Sequence, residues 1–160
     1  LHDALIAGDA ETVRSQLEVI LRDDASCYDI TSENSAHMLM LGLCFGLPGY
    51  ADPRSNKEAD YGRFDIQVEP SDTAVEAFSF VRPAHRPLIT VELKYLPKGE
   101  APSDGSELAD RLGALAHEAL DQIARNSYDA GALPPAASGR LRWGVAFSGR
   151  HAAAACEWAE

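Results

Sequence analysis

The sequence predicts an α/β fold: a central mixed sheet of four to five strands flanked by helices, in the order α-α-β-β-β-α-β. Two observations carry this. Residues 87–96 and 140–147 are apolar strand patterns, and the longest helical pattern, residues 107–126, lies between them. Ahead of that strand–helix–strand unit, residues 63–69 alternate apolar and polar positions as a half-buried strand does. At 160 residues the chain is about one domain long and able to bury a core of its own. Hydrophobic residues at 46% and charged residues at 24% are ordinary globular values, which excludes a wholly disordered or collagen-like chain.

Over residues 9–22, Val13, Leu17, Ile20 and Leu21 recur at helical spacing, and Arg14 and Glu18 stand four apart. A second, more apolar helix is expected over residues 33–46, with Thr31 or Ser32 as N-cap and Pro48-Gly49 as its stop. Residues 50–56 read as the first strand. Phe64, Ile66 and Val68 mark the next, over 63–69, and Pro70-Ser71-Asp72 turns the chain. Residues 75–81 read as a short strand or an irregular insert. Leu88, Ile89, Val91, Leu93 and Tyr95 make the third clear strand. A loop over 97–105 precedes the long helix, striped by Leu108, Leu112, Leu115, Leu120 and Ile123. Residues 131–139 loop again, 140–147 form the last clear strand, and an edge strand is expected after Gly149. The expectation is a single domain over residues 1–160, with a helical lead-in over 1–30 and a core over 31–150. A chain that begins at Leu1 rather than Met reads as a piece of a longer protein.

The 14 basic residues face 25 acidic ones, a net charge of −11 that argues against broad non-specific affinity for nucleic acid. The charge is uneven. Residues 1–33 hold Asp3, Asp9, Glu11, Glu18, Asp23, Asp24, Asp29 and Glu33 against Arg14 and Arg22 alone. Residues 130–156 hold Arg140, Arg142 and Arg150 and no acid, so a polyanion could be held at that end. No apolar run nears the ~20 residues of a membrane span, and no signal-peptide pattern opens the chain. Cys27, Cys44 and Cys156 are scattered and form no CxxC pair. A reducing, cytoplasmic compartment is expected, and delivery as a secreted effector is compatible with the same residues.

The residues that point to chemistry are Asp65 and the run Glu92-Leu93-Lys94. On a strand, residues two apart share a face, so Glu92 and Lys94 point one way and Leu93 points into the core. A neighbouring strand carrying Asp65 would bring a second carboxylate to Glu92. Two carboxylates and a backbone carbonyl make a hard oxygen site suited to Mg²⁺ or Mn²⁺. Such an ion activates water and neutralises charge on a phosphodiester. A lysine beside it orients or deprotonates that water, or stabilises the transition state. A bare Glu-x-Lys is more often a solvated alternation on an exposed sheet face, so the surrounding motifs decide.

Those motifs stand in order. Glu33-Asn34-Ser35-Ala36-His37 is followed by Leu41-Gly42-Leu43. The run Ser55-Asn56-Lys57-Glu58-Ala59-Asp60-Tyr61-Gly62-Arg63-Phe64-Asp65 precedes the Glu-x-Lys. After it come Ala119-Leu120-Asp121-Gln122-Ile123 with Tyr128, then Gly144-Val145-Ala146-Phe147-Ser148-Gly149-Arg150. From about residue 15 to 150 this ordered set resembles the PD-(D/E)XK nuclease superfamily, in the branch found at the carboxyl end of AAA-ATPase-like proteins. The resemblance implies a restriction-endonuclease-like core. It implies Asp65 and Glu92 as metal ligands, Lys94 as the catalytic lysine, and Glu33 as a helical acid that joins the metal shell through water. The carbonyl of Leu93 completes the expected metal set. Gln122 and Tyr128 resemble the Q…Y element of RecB-like nucleases, which contacts substrate and braces the site. Departures from the pattern are Ala36 in place of an aromatic, Asp60 in place of a glycine, Lys57 at the first basic position and Arg150 at the closing one. Asp60 adds negative charge near the site.

Other residues keep two readings. His37, four residues from Glu33, either ligates a metal with it or, more commonly, hydrogen-bonds a carboxylate in helix packing, and is placed as a supporting residue. Arg63 binds a phosphate or pairs with Glu58, and Gly62 serves a tight turn that aims Asp65. Arg140, Arg142 and Arg150 form a DNA-facing edge or an ordinary solvated rim. Trp143 is expected to pack rather than to stack on bases. His117-Glu118 does not begin an HExxH, because Asp121 stands at the second position. The absence of GxxxxGK[ST] excludes the ATPase half, and without a GxGxxG after a strand or a GxSxG a dinucleotide fold and a serine hydrolase are unsupported. The expected activity is Mg²⁺- or Mn²⁺-dependent hydrolysis of DNA, or less favourably RNA; a protein partner, or an in-cis ATPase or effector domain, is compatible with it. Two other classes are weighed against it: a catalytically silent protein-interaction domain with an acidic face, and a nuclease toxin module whose site an inhibitor covers. No membrane partner is expected.

Overall fold

A computed structural model of the chain describes residues 1–24, 30–55, 58–59, 62–63, 65–73 and 84–159, with backbone alone for Asp24 and for residues 58–59 and 62–63. Helix α1 (His2–Ala7) ends at Gly8, whose φ of 75° is the left-handed conformation that turns the chain into α2 (Ala10–Val19). Asp9 caps α2 by accepting the Thr12 N–H. A π-helical turn over Ile20–Asp24 follows. Ser32 caps α3 (Glu33–Leu43) in a reciprocal box with Ser35.

The strands are β1 (Arg54–Ser55), β2 (Glu58–Ala59), β3 (Gly62–Arg63), β4 (Ile66–Val68), β5 (Leu88–Tyr95), β6 (Arg140–Ser148) and β7 (His151–Ala159). Five of them form one mixed sheet in the order β1-β4-β5-β6-β7, while β2 and β3 pair separately. Among the described strands only β5 and β6 are parallel, and α4 (Gly105–Asn126), capped by Asp104, is the crossover between them.

Alternation sorts the sheet onto two faces. Ile66, Val91, Leu93, Trp143, Val145 and Phe147 join the apolar residues of α1, α2 and α3 in the main core. On the other face Ala146, Ala153 and Ala155 meet the leucines of α4. Trp143 has no exposed surface and donates its Nε1–H to the Leu5 carbonyl at 3.2 Å, so it packs as expected. Gly144 sets how near α4 comes. A Cβ there would overlap the Ala116 carbonyl and stand 3.1 Å from the Ala119 Cβ. Gly144 is the cross-strand partner of Glu92, so this closest approach lies beside the candidate site.

The helix-flanked mixed sheet agrees with the patterning, but the order α-α-β-β-β-α-β does not hold. A short α1 precedes the expected first helix; six residues are too few to display a helical period. The strand expected over 50–56 shrinks to Arg54–Ser55, preceded by a lone bridge from Tyr50 to Pro70 and by Pro53, which has no N–H to donate. The strand expected over 63–69 is split, because the chain bends at Asp65 between β3 and β4. The edge strand after Gly149 is a full nine residues. The strand or insert expected over 75–81 lies outside the described residues, as do Cys27, Asn56, Lys57, Asp60, Tyr61, Phe64 and the Arg63 side chain. Among the described residues no helix is long and apolar enough to cross a membrane.

Candidate active site

The site forms where β4 leaves β5. Val91 is the last residue of β5 paired with β4, opposite Ile66. Leu88 donates its N–H to Gly139 and Leu96 donates to Phe147. The even-numbered peptide groups of β5 therefore face β6, and the odd-numbered ones face β4. Beyond Val91 no described strand is paired with that odd-numbered side. Asp65 supplies a substitute, its Oδ2 accepting the Leu93 N–H at 2.8 Å. The Leu93 carbonyl lies on the same vacated side. Asp65 stands one residue before the first β4–β5 pair, close enough to Glu92 for its charge to act on that carboxyl.

Glu92 is only 5% exposed. Its Oε1 accepts a hydrogen bond from Gln122 Nε2, while its Oε2 is buried with no hydrogen-bond partner among the described residues. Burial, reinforced by the charge of Asp65, pushes the Glu92 carboxyl up to about 8, against downward pulls from Lys94 and from the Asp65 backbone N–H. Lys94, which shares the face, donates Nζ–H to Gln122 Oε1 at 2.5 Å. One amide on α4 thus joins the acid and the base of β5. Gln122 Nε2 also reaches the Tyr128 hydroxyl at 3.3 Å, and Asn126 Nδ2 donates to that oxygen at 2.7 Å. Ser127, with φ at 52°, ends α4 and turns Tyr128 back towards the helix.

The structure therefore brings together Asp65, Glu92, Lys94, Gln122 and Tyr128. Glu33 is the exposed first residue of α3, and its charge adds a small upward push on Glu92. His37 hydrogen-bonds Ser55 Oγ through Nε2 at 2.6 Å and so ties α3 to β1, rather than meeting a carboxylate. Among the described residues no group of three or more His, Cys, Asp or Glu side chains is arranged to hold a metal ion. The oxygen donors at hand are the two carboxylates of Asp65 and Glu92 and the backbone of β5. Asn126 escaped the sequence analysis; its one signal was its place two residues before Tyr128 at a helix end. Ser55 stood in the motif run before the Glu-x-Lys but was given no role there.

Arg140 and Arg142 are half-buried and are not a free basic edge, because both are bound to the loop after α4. Arg140 donates to the carbonyls of Asp129 and Gly131, and Arg142 donates to the carboxylates of Asp129 and Glu157. Arg150 is exposed. A cleft of about 560 Å³ lined by Asp3, Ile6, His85 and Trp158 lies at the opposite end of the sheet, where β5 and β6 begin. Comparisons with protein-family models, with curated proteins and with solved structures find no match.

Proposed function

We propose that the chain is a metal-dependent nuclease with a restriction-endonuclease-like core, hydrolysing phosphodiester bonds in DNA and less favourably in RNA. The observation that carries this reading is the Oε2 of Glu92, which is buried beside a second carboxylate and has no hydrogen-bond partner among the described residues. A buried oxygen without a partner costs about 1–3 kcal/mol, and the charge of Asp65 adds repulsion. A bound Mg²⁺ or Mn²⁺ would relieve both. Asp65, Glu92 and the Leu93 carbonyl are hard oxygen donors of the kind these ions take, and Glu33 would join through water as the family resemblance implies. When bound, the ion would supply a lowered water pKa and neutralisation of phosphate charge. Lys94, steadied by Gln122, would orient the attacking water or meet the charge growing on the phosphate. Water oxygen bonds to phosphorus, the ester P–O bond breaks, and the leaving oxygen ends protonated.

The test is cleavage of single- and double-stranded DNA, with RNA in parallel, in Mg²⁺ and in Mn²⁺. Cutting that disappears in Lys94→Ala and Asp65→Ala supports the reading. A folded parent that cuts no substrate overturns it for the isolated chain. That outcome would favour the second reading, a non-catalytic protein-interaction domain, which the net charge of −11 supports.

A further inference from the structure

Asp129 is 3% exposed, the most buried acidic side chain among the described residues. It is held by a two-pronged ion pair from β6: Arg142 Nε donates to Oδ2 at 2.8 Å and Nη2 donates to Oδ1 at 3.0 Å. Arg142 also donates Nη1–H to Glu157 on β7 at 3.0 Å. Arg140, two residues away on the same face, grips the backbone on both sides, donating to the Asp129 carbonyl at 2.9 Å and to that of Gly131 at 2.7 Å. Two β6 side chains thus fix residues 129–131. The residue just before that segment is Tyr128, whose hydroxyl meets Gln122 and Asn126.

We propose that the Asp129–Arg142 ion pair, with Arg140, is a positioning element: it seats the Tyr128 hydroxyl against Gln122 and so sets which way the Gln122 amide faces. A glutamine amide fits its slot in two orientations related by a half-turn. The observed one turns Nε2 to Glu92 and Tyr128, and Oε1 to Lys94. The other would set an NH₂ against the Lys94 ammonium and an oxygen against the Glu92 carboxyl. In the observed orientation the Tyr128 oxygen accepts from both Asn126 Nδ2 and Gln122 Nε2, one lone pair to each. Asp129, Arg142 and Arg140 touch none of the candidate reacting groups; they act through Tyr128 and Gln122.

The consequence for cleavage rests on the proposed nuclease reading, so two readouts are needed. The first is independent of activity: ¹H–¹⁵N spectra of the metal-free chain, with the Gln122 side-chain amide assigned by its disappearance in Gln122→Glu. Gln16 and Gln67 serve as internal controls. In Asp129→Asn and in Tyr128→Phe the Gln122 amide is expected to move towards the position of a freely solvated glutamine while the controls hold still. Where Asp129→Asn does not fold, Arg142→Lys takes its place, keeping the charge and losing the two-pronged contact. An unmoved Gln122 amide in the folded variants overturns the proposal. The second readout is kinetic. Asp129→Asn is expected to lower kcat about tenfold with KM for DNA nearly unchanged, and to have no further effect in a Gln122→Ala background. Full additivity of the two substitutions overturns the proposal. A parent that does not cut DNA overturns the nuclease reading and leaves the spectra to decide the positioning.

Discussion

The carboxylate of Asp65 stands where β4 would have continued, its Oδ2 accepting the Leu93 N–H two residues past the last β4–β5 pair. One side chain both ends the ladder and sets a negative charge beside Glu92. Substitution separates these roles. Asp65→Asn keeps an oxygen acceptor for Leu93, and its urea midpoint is expected to stay close to the parent's. Asp65→Ala strands the N–H and is expected to cost about 1–3 kcal/mol. Both are expected to lose Mn²⁺ binding, read by electron paramagnetic resonance. Equal destabilisation in the two variants would mean that the charge, rather than the acceptor, holds the bend.

Glu92 links stability to pH with a definite sign. Burial first, and Asp65 second, raise its carboxyl from 4.5 to about 8. The folded chain therefore binds the proton more tightly than the unfolded chain does. The contribution is fully present below about pH 4.5 and is lost as the pH rises towards and through 8. By pH 7 the loss amounts to about 3 kcal/mol. Glu92→Gln cannot ionise, so its unfolding free energy relative to the parent's should rise by that amount between pH 4.5 and pH 7. Urea titrations at several pH values check this, and a difference that stays flat with pH would show that Glu92 ionises freely in the fold. Mn²⁺ added at pH 7 should release protons as Glu92 gives up its own.

What the sequence made legible follows from length. α4, β5 and β6 run eight residues or more, long enough for their periods to show, and the period of two alone set Glu92 and Lys94 on one face. The break at Asp65 was hidden, because a side-chain carboxylate there replaces a backbone acceptor and leaves the hydrophobic alternation untouched. The bridge through Gln122 was hidden too, since it depends on how closely α4 lies to the sheet. The absence of acids from 130 to 156 suggested free arginines at that end, yet Asp129 lies just outside that window and is the group that binds Arg142.

Gly144 tests that closeness. Gly144→Ala would drive a methyl into the Ala116 carbonyl, which is backbone and cannot step aside. Overpacking of this kind is expected to cost about 3 kcal/mol and, by lifting α4, to loosen the Lys94–Gln122 contact. Gly113, in the interior of α4, meets nothing within 4 Å of an added Cβ. Gly113→Ala should stabilise the chain by about 0.5–1 kcal/mol. Thermal melts of the pair decide the matter, and a Gly144→Ala variant as stable as the parent would mean that α4 does not lie so close.

Ser55 separates support from chemistry. Its hydroxyl and His37 Nε2 are 2.6 Å apart, and Ser55 pairs with Ile66, which points into the main core. That is the face opposite Glu92, so the contact fastens α3 to β1 without reaching the candidate metal donors. Ser55→Ala deprives His37, 8% exposed, of that partner and is expected to cost about 1–2 kcal/mol. Cleavage per folded molecule should stay within about twofold of the parent. A loss of tenfold or more at unchanged stability would instead bring His37 into the reaction and require α3 to carry more of the site than Glu33 alone.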